Sequence, residues 1–484
     1  SRAPLAQAFL GCSVPACIHA IGCRIRMHLS VIWPSMRKAA VVLAWLTCTG
    51  SSFTEHKYSH LQSTGQSGDT TPLRAFAQLL LTSTPLTGWQ VTSRLAGDDY
   101  GHRLGAKHVN NNHPRMRFAS PPLASSVIAS APSISPTGVP NSQWKWRGFD
   151  VRYQALGQDN DGPSVVLVHG LFVNADHWRR NLPALADAGM RVYAIDLLGY
   201  GYSSKPPPCS DAARAISGEN GRKLGAPPAT LGTAGGGQRA DVPVEEAHPL
   251  GSVYNFYTWS EQILDFVEEV VKPPNGKVTL VANSIGSISA LQAAIDASDR
   301  VSGVAIVNPN FRELHVSEQP GFLIPVVSAV QAALRKYGKP LFDSLAKPDT
   351  VKQILKEPYY DAEQVTDELV DVLLTPLLTE GSADVVFDTL SYSAGPLPEQ
   401  QLADPQLKAP VLVCWGEKDP WTPSKRVLGL SRFDSVERVI PLPNVGHCPH
   451  DEAPQLVNPL IIDFVQRVTA QSADKDSIGA SQST

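Results

Sequence analysis

The sequence predicts an α/β fold: a mostly parallel sheet with helices on both faces and a helical cap inserted between late strands. Three observations predict it. From Trp144 onward, short β-branched runs alternate with stretches of helical spacing, the signature of strand–helix–strand units. The strand KVTLVAN (277–283) runs through Ser284 straight into the helical stretch IGSISALQAAIDASD, a strand–serine–helix junction. The alternation breaks once, over residues 311–396, which hold helix-like stretches and no clear strand.

The elements follow in order. WKWRGFDVRYQALG (144–157), with the turn-rich QDNDGP after it, reads as an antiparallel hairpin. SVVLVHG (164–170) is a short buried strand, and HWRRNLPALADAG (177–189) has helical spacing that stops at Gly189. RVYAIDL (191–197) is the next strand. The segment 209–251 is rich in Gly, Ala and Pro without apolar periodicity, and is expected to be a flexible surface insertion. Thr258-Trp259-Ser260-Glu261 fits a capping box that opens a helix running to about Val271. KVTLVAN (277–283) is a strand that ends at Ser284, followed by the helix IGSISALQAAIDASD (285–299) and the strand VSGVAIVNP (301–309). After the cap, PVLVCWGEKD (410–419) resumes the sheet, ERVIPLP (437–443) ends it, and APQLVNPLIIDFVQRV (453–468) is the closing helix. The chain therefore divides into a leader (1–143), a core in two parts (144–310 and 397–470), a helical cap (311–396) and a disordered polar tail (471–484).

The leader differs in kind from the rest. It carries 12 Lys+Arg against 4 Asp+Glu, while the remainder carries 29 against 41, within an overall net charge of −4. This overall balance makes no electrostatic case for nucleic acid. AAVVLAWLTC (39–48), preceded by Arg37-Lys38, resembles the apolar region of a signal peptide. From Met116 the chain holds seven serines and no acidic residue before Asp150, the composition of an organelle transit peptide. Two readings stay open: that Met116 begins the precursor, or that one long leader precedes the fold. Four of the seven cysteines lie in the leader, and Cys209, Cys414 and Cys448 are far apart. No metal site, cofactor site or disulfide framework is expected.

The residues 281–287 read VANSIGS, a strand–serine–helix junction where a nucleophile elbow would sit. The motif G-x-S-x-G has Ala282 in its first glycine position and keeps Gly286 in its second. A serine opening a helix is by itself more often a cap than a catalyst, so the surroundings decide. The loop His169-Gly170-Leu171-Phe172 follows the first parallel strand, placing the Leu171 N–H, with the Ile285 N–H, as oxyanion donors. His169 reads as a structural, hydrogen-bonded histidine. Asp419 closes a late strand and is the expected acid, with Glu417 as its rival. Asp196 precedes the serine and is expected to shape its own loop. Asn444-Val445-Gly446-His447 supplies the base after the last strand. His450 reads as a solvated loop residue and His177 as a helix start. The order Ser284, Asp419, His447 is the order this kind of fold uses. Serine at the elbow points to ester chemistry, where aspartate would point to epoxides or haloalkanes. The apolar stretches 321–334 and 369–378 in the cap favour a large lipophilic substrate.

Several segments together resemble a family: WKWRGFDVRYQALG, VLVHGLFVNADHWRRNLPAL, YAIDLLGYGYSSKP, VANSIGS, QVTDELVDVLLTP, SAGPLPEQ, WGEKDPWTP and LPNVGHCPHDEAP. They span nearly all of 144–470. The chain resembles the plastid α/β-hydrolase group of plants and algae that includes the chlorophyll dephytylases, with the pheophytinases more distant. The resemblance implies the α/β-hydrolase fold, with Ser284, Asp419 and His447 as the triad. It further implies hydrolysis of the phytyl ester of a chlorophyll-type pigment in the chloroplast, in the stroma or against the thylakoid surface. Ala282, Ser287 (where a second glycine is common) and the 209–251 insertion depart from the group's pattern. Two other functions stay in view. One is a plastid lipid esterase or thioesterase with the same triad. The other is a small-ligand receptor on this fold, against which the long leader and the insertion count.

Overall fold

In the computed structural model the described residues are 131–216, 248, 251–312, 315 and 324–482. Eight strands form one sheet in the order β1-β2-β4-β3-β5-β6-β7-β8. They are β1 (Asn141–Trp146), β2 (Phe149–Leu156), β3 (Ser164–Val168), β4 (Arg191–Ile195), β5 (Val278–Ser284), β6 (Val301–Pro309), β7 (Val411–Gly416) and β8 (Val436–Leu442). β1 pairs with β2, and β2 with β4, antiparallel; every other pairing is parallel. The chain turns back between β1 and β2 at Arg147-Gly148, both at positive φ (46° and 95°), the backbone of a tight two-residue hairpin turn.

The central strands β3 to β7 are apolar on both faces because both faces are covered. Val166 and Val168 of β3, Leu280 and Ala282 of β5 and Val413 of β7 join one core. Val165 and Leu167, Val281 and Leu412 point the other way into a second core. The first core is closed by Trp259, Ile263 and Phe266 of α3 (Phe256–Phe266) and by Ile288 and Leu291 of α4 (Gly286–Asp296). The second is closed by Leu182 and Leu185 of α1 (Leu182–Asp187) and by Val457, Ile461 and Phe464 of α13 (Pro454–Gln482). A short helix α2 spans Asp211–Ile216. Fully burying each such aliphatic side chain contributes about 1.5–3 kcal/mol, so the alternation along each strand fixes its register.

Several expectations are corrected. The fold begins before Trp144: Asn141 is the first residue of β1, Val139 lies in the second core, and buried Ser135 donates to Asp176 Oδ1 at 2.5 Å. A hydroxyl and a branched apolar side chain were enough to anchor the end of what reads as leader. The helix α3 starts at Phe256, not in the capping box: the side chain of Asn255 accepts from the Tyr257 and Thr258 N–H groups. α13 continues to Gln482, through the tail for which disorder was expected. Ala470, Gln471 and Ala473 favour helix by intrinsic propensity, and Lys277 Nζ reaches Ser472 Oγ at 2.8 Å. Most of the 209–251 insertion, and residues 1–130, lie outside the described residues.

Between β6 and β7 the chain is helical: α5 (Ile324–Tyr337), α6 (Lys339–Leu345), α7 (Pro348–Leu355), α8 (Asp367–Leu377), α9 (Ser382–Leu390) and α10 (Pro398–Leu402). Two further short helices, α11 (Ser424–Leu428) and α12 (Pro449–Glu452), flank β8. The cap packs over loops that leave the carboxyl ends of the strands. Asn174 Nδ2, after β3, donates to the Val372 carbonyl of α8 at 2.9 Å, and Phe172 packs against the cap cluster that holds Leu345, Phe387 and Leu390. At the cap's return, buried Arg312 donates to the Tyr392, Ala394 and Pro396 carbonyls. The two apolar cap stretches differ in burial: α8 buries Leu369, Val370, Leu373 and Leu374, whereas α5 buries no residue fully. Among the described residues no helix is long and apolar enough to cross a membrane.

Candidate active site

Ser284 is the last residue of β5, and α4 begins two residues later. Its φ is +52°, a left-handed conformation that costs a non-glycine residue about 1–2 kcal/mol. Strain of this kind persists only where the surroundings hold it. Here they do. A Cβ on Gly286 would lie 2.4 Å from the His169 carbonyl oxygen, so the helix approaches the end of β3 closely enough to exclude any side chain. A Cβ on Gly170 would lie 2.7 Å from Asn283 Oδ1 and 3.2 Å from Ser284 Cβ. Close approach therefore falls at Gly286 and Gly170. Ala282, by contrast, sits opposite Val168 and Ile306 and its methyl is part of the first core. This explains why the first position of the motif takes alanine without distorting the turn. Ser287, where a second glycine is common, is buried and donates from Oγ to the Ser284 carbonyl at 2.5 Å. It thus braces the turn from within.

Asp419 and His447 are brought together. Nδ1 of His447 lies 2.7 Å from Asp419 Oδ2, and both side chains are nearly inaccessible. Asp419 Oδ1 accepts from the Trp421 N–H at 2.8 Å and the Thr422 N–H at 3.2 Å. Burial pushes the Asp419 carboxyl up, but His447, Thr422 and Asn308 outweigh it and hold it down at about 2. It is therefore an anion across the working pH range. The rival Glu417 is exposed at the surface. The Trp421 ring covers the His447 ring at 4.8 Å between centroids. Asn283, next to Ser284, donates to the His447 carbonyl at 3.4 Å, so the serine's neighbour and the histidine loop share a bond. Among the described residues no hydrogen bond joins Ser284 Oγ to the His447 ring; in unliganded sites this contact is commonly long and tightens around substrate. Ile285 is the first residue past the turn, and Leu171 follows Gly170 in a loop whose next residue, Phe172, also has positive φ (59°).

His169, Asp196, His177 and His450 make fixed contacts within the fold. His169 is fully buried; its Nε2 accepts from the Leu197 N–H at 3.0 Å and its Nδ1 faces the Gly170 carbonyl at 2.8 Å. Burial lowers its pKa, so it serves as a neutral strut between β3 and β4. Asp196 accepts from Arg152 Nε at 2.6 Å and from the Ala175 and Tyr202 N–H groups, shaping the loops after β3 and β4. His177 lies in a single 3₁₀ turn, Ala175–Trp178, with Nε2 2.9 Å from Tyr359 Oη. His450 corrects an expectation: it is fully buried, not solvated, with Nε2 3.2 Å from His177 Nδ1 and burial lowering its pKa to about 3. The rings of Trp178 and His177 enclose it, at 4.3 and 4.5 Å between centroids.

Asn308 was missed in the sequence. Asn283 pairs with Val307 and Ser284 with Pro309, so Asn308 is the extra residue of a bulge in β6, at φ +51°. A bulge re-aims its side chain: Nδ2 donates to Asp419 Oδ2 at 2.7 Å, while Oδ1 accepts from the Gly416 N–H at 3.1 Å. The only sequence signal was the run Asn-Pro-Asn at a strand end, since asparagine tolerates that backbone. Among the described residues no three metal-ligating side chains cluster.

The sequence pattern of the alpha/beta hydrolase family matches residues 165–460. The chain is 25% identical to "Pheophytinase, chloroplastic" of Arabidopsis thaliana over 349 residues, 67% of this chain and 66% of that protein, so the match stops short of two thirds of its length. It is also 25% identical over 324 residues to a 2-hydroxy-6-oxononadienedioate/2-hydroxy-6-oxononatrienedioate hydrolase of Burkholderia vietnamiensis, covering 66% of this chain and 91% of that one. Among solved structures, the epoxide hydrolase CorEH without ligand superposes with a TM-score of 0.47 at 17% identity, covering 68% of this chain and 99% of that chain.

Proposed function

The chain belongs to the alpha/beta hydrolase family, and from that premise we propose that it hydrolyses carboxylic esters with Ser284 as nucleophile, His447 as base and Asp419 as orienting acid. The observation that carries the reading is the 2.7 Å bond from His447 Nδ1 to a buried Asp419, set against a serine held at φ +52° on a strand–helix turn. With Nδ1–H donating to the carboxylate, Nε2 is left unprotonated to take the Ser284 proton. Ser284 Oγ attacks the ester carbonyl carbon as that proton moves to His447. The oxyanion is met by the Ile285 and Leu171 N–H groups, each of order 3 kcal/mol. His447 then hands its proton to the departing alkoxide, leaving an acyl-enzyme. Water, deprotonated by the same ring, attacks the acyl carbon and releases the acid and free serine.

The substrate we propose is the phytyl ester of a chlorophyll-type pigment, which yields the pigment acid and phytol, in the chloroplast. The likeness to a chloroplastic pheophytinase supports it, as does the apolar α8 in the cap. The test incubates the full chain with pheophytin a, chlorophyll a and p-nitrophenyl butyrate, and identifies products by mass. Phytol release from either pigment, lost in Ser284→Ala, is the expected outcome. Turnover of the short ester with neither pigment cleaved makes the protein a general lipid esterase and removes the pigment reading.

A further inference from the structure

His447 is held from two sides. Its ring is fixed by Asp419, which rides on the loop after β7. Its backbone N–H donates to the carbonyl of Pro358, in the cap, at 2.7 Å. The contact is so close that a Cβ on Gly446 would lie 2.2 Å from the Pro358 oxygen, 2.7 Å from the Tyr360 nitrogen and 2.9 Å from Glu452 Oε2. Two consecutive acids past the histidine grip the same cap segment. Asp451 Oδ2 accepts from Tyr359 Oη at 2.8 Å. Glu452, nearly inaccessible in α12, accepts from the Gly446 N–H through Oε2 and from the Asp361 N–H through Oε1, both at 2.7 Å.

We propose that Glu452 is a positioning residue for His447, its carboxylate bridging the loop that carries the base to the cap segment 358–361. The inference rests on the reading of His447 as base. The two oxygens divide the work: one holds the residue before His447, the other holds the cap chain that its N–H also touches. Only a carboxylate offers acceptors in both directions. An amide of the same shape must turn its NH₂ toward one of the two N–H groups, so Glu452→Gln breaks one side of the bridge in either orientation. Glu452→Asp keeps the charge but is too short to span both. A buried acid with only a folding role would change how much protein folds, not what each folded site does. Placement errors of about 1 Å in a reacting group cost on the order of 10²-fold in rate, so a loosened base must show in turnover.

The experiment uses the full chain, with p-nitrophenyl butyrate as probe and the burst of p-nitrophenol counting competent serines. In Glu452→Gln, kcat per titrated site is expected to fall about tenfold or more, with KM within about threefold. The low-field proton resonance of the His447–Asp419 bond is expected to shift or broaden. Glu452→Asp, read the same way, covers the case in which the amide variant does not fold. Wild-type kcat per titrated site with an unmoved resonance overturns the proposal. If His447→Ala keeps its turnover, the base reading itself falls, while the resonance still decides whether Glu452 places the ring.

Discussion

Replacing Asn308 with alanine should weaken both the fold and the site, by amounts that the geometry sets. The side chain makes a bond to the ionised Asp419 at 2.7 Å and accepts from the Gly416 N–H at 3.1 Å. A bond to a charged group is worth about 1.5–3 kcal/mol and a neutral one about 0.5–1.5, so Asn308→Ala should cost about 2–4.5 kcal/mol at pH 7. Part of that loss has a definite pH dependence. Asp419 is depressed from its ordinary 3.8 to about 2 in the fold. A group depressed in the folded state stabilises above its unfolded pKa, and that contribution disappears as pH falls through the folded value. Removing a donor raises the folded pKa toward 3.8, so the gap between wild type and variant should narrow as pH falls from about 4 toward 2. Urea unfolding at pH 7 and pH 3 measures the gap directly. At pH 7, kcat on p-nitrophenyl butyrate should fall about tenfold, because the carboxylate that orients His447 has lost a fixed partner. A loss under about 1 kcal/mol at pH 7, or an equal gap at both pH values, would refute the argument that Asn308 holds Asp419 as an anion.

Three shorter predictions follow from the same geometry. Asp419→Asn should lower kcat by about 10⁴-fold, the cost of the wrong histidine tautomer elsewhere, while exposed Glu417→Gln changes activity less than about twofold; equal losses in a side-by-side assay contradict the choice of acid. Ser284→Ala should abolish turnover with an unfolding midpoint within a few degrees of wild type, since the left-handed backbone is unchanged; residual turnover of a tenth or more removes the serine as nucleophile. Ala282→Gly should leave kcat nearly unchanged but cost about 1 kcal/mol in urea unfolding, from a lost core methyl and a freer unfolded chain; a gain in kcat would mean that the missing glycine does matter to the turn.

The sequence by itself determined the sheet. The apolar runs at β3 to β7 occur where the strands do, because burial on both faces demands nearly uninterrupted apolar side chains. Strand-end position, the partial elbow motif and chain order brought Ser284, Asp419 and His447 forward, and the serine's helical neighbour placed the turn. Local signals misjudged the edges. Asn255, not the Thr258 box, caps α3, because both readings satisfy the first N–H groups and only packing chooses between them. Residues 131–143 carry leader-like composition, yet Ser135 finds Asp176 41 positions on and Val139 joins the second core. Only the tertiary structure decided what surrounds the histidine. His450 reads as polar loop until His177 and Trp178 close over it. Asn308 and Glu452 act through contacts 111 and 6 residues along the chain, to Asp419 and Gly446. Such contacts leave no periodicity in the sequence, because they depend on where a bulge turns a side chain and where a cap comes to rest.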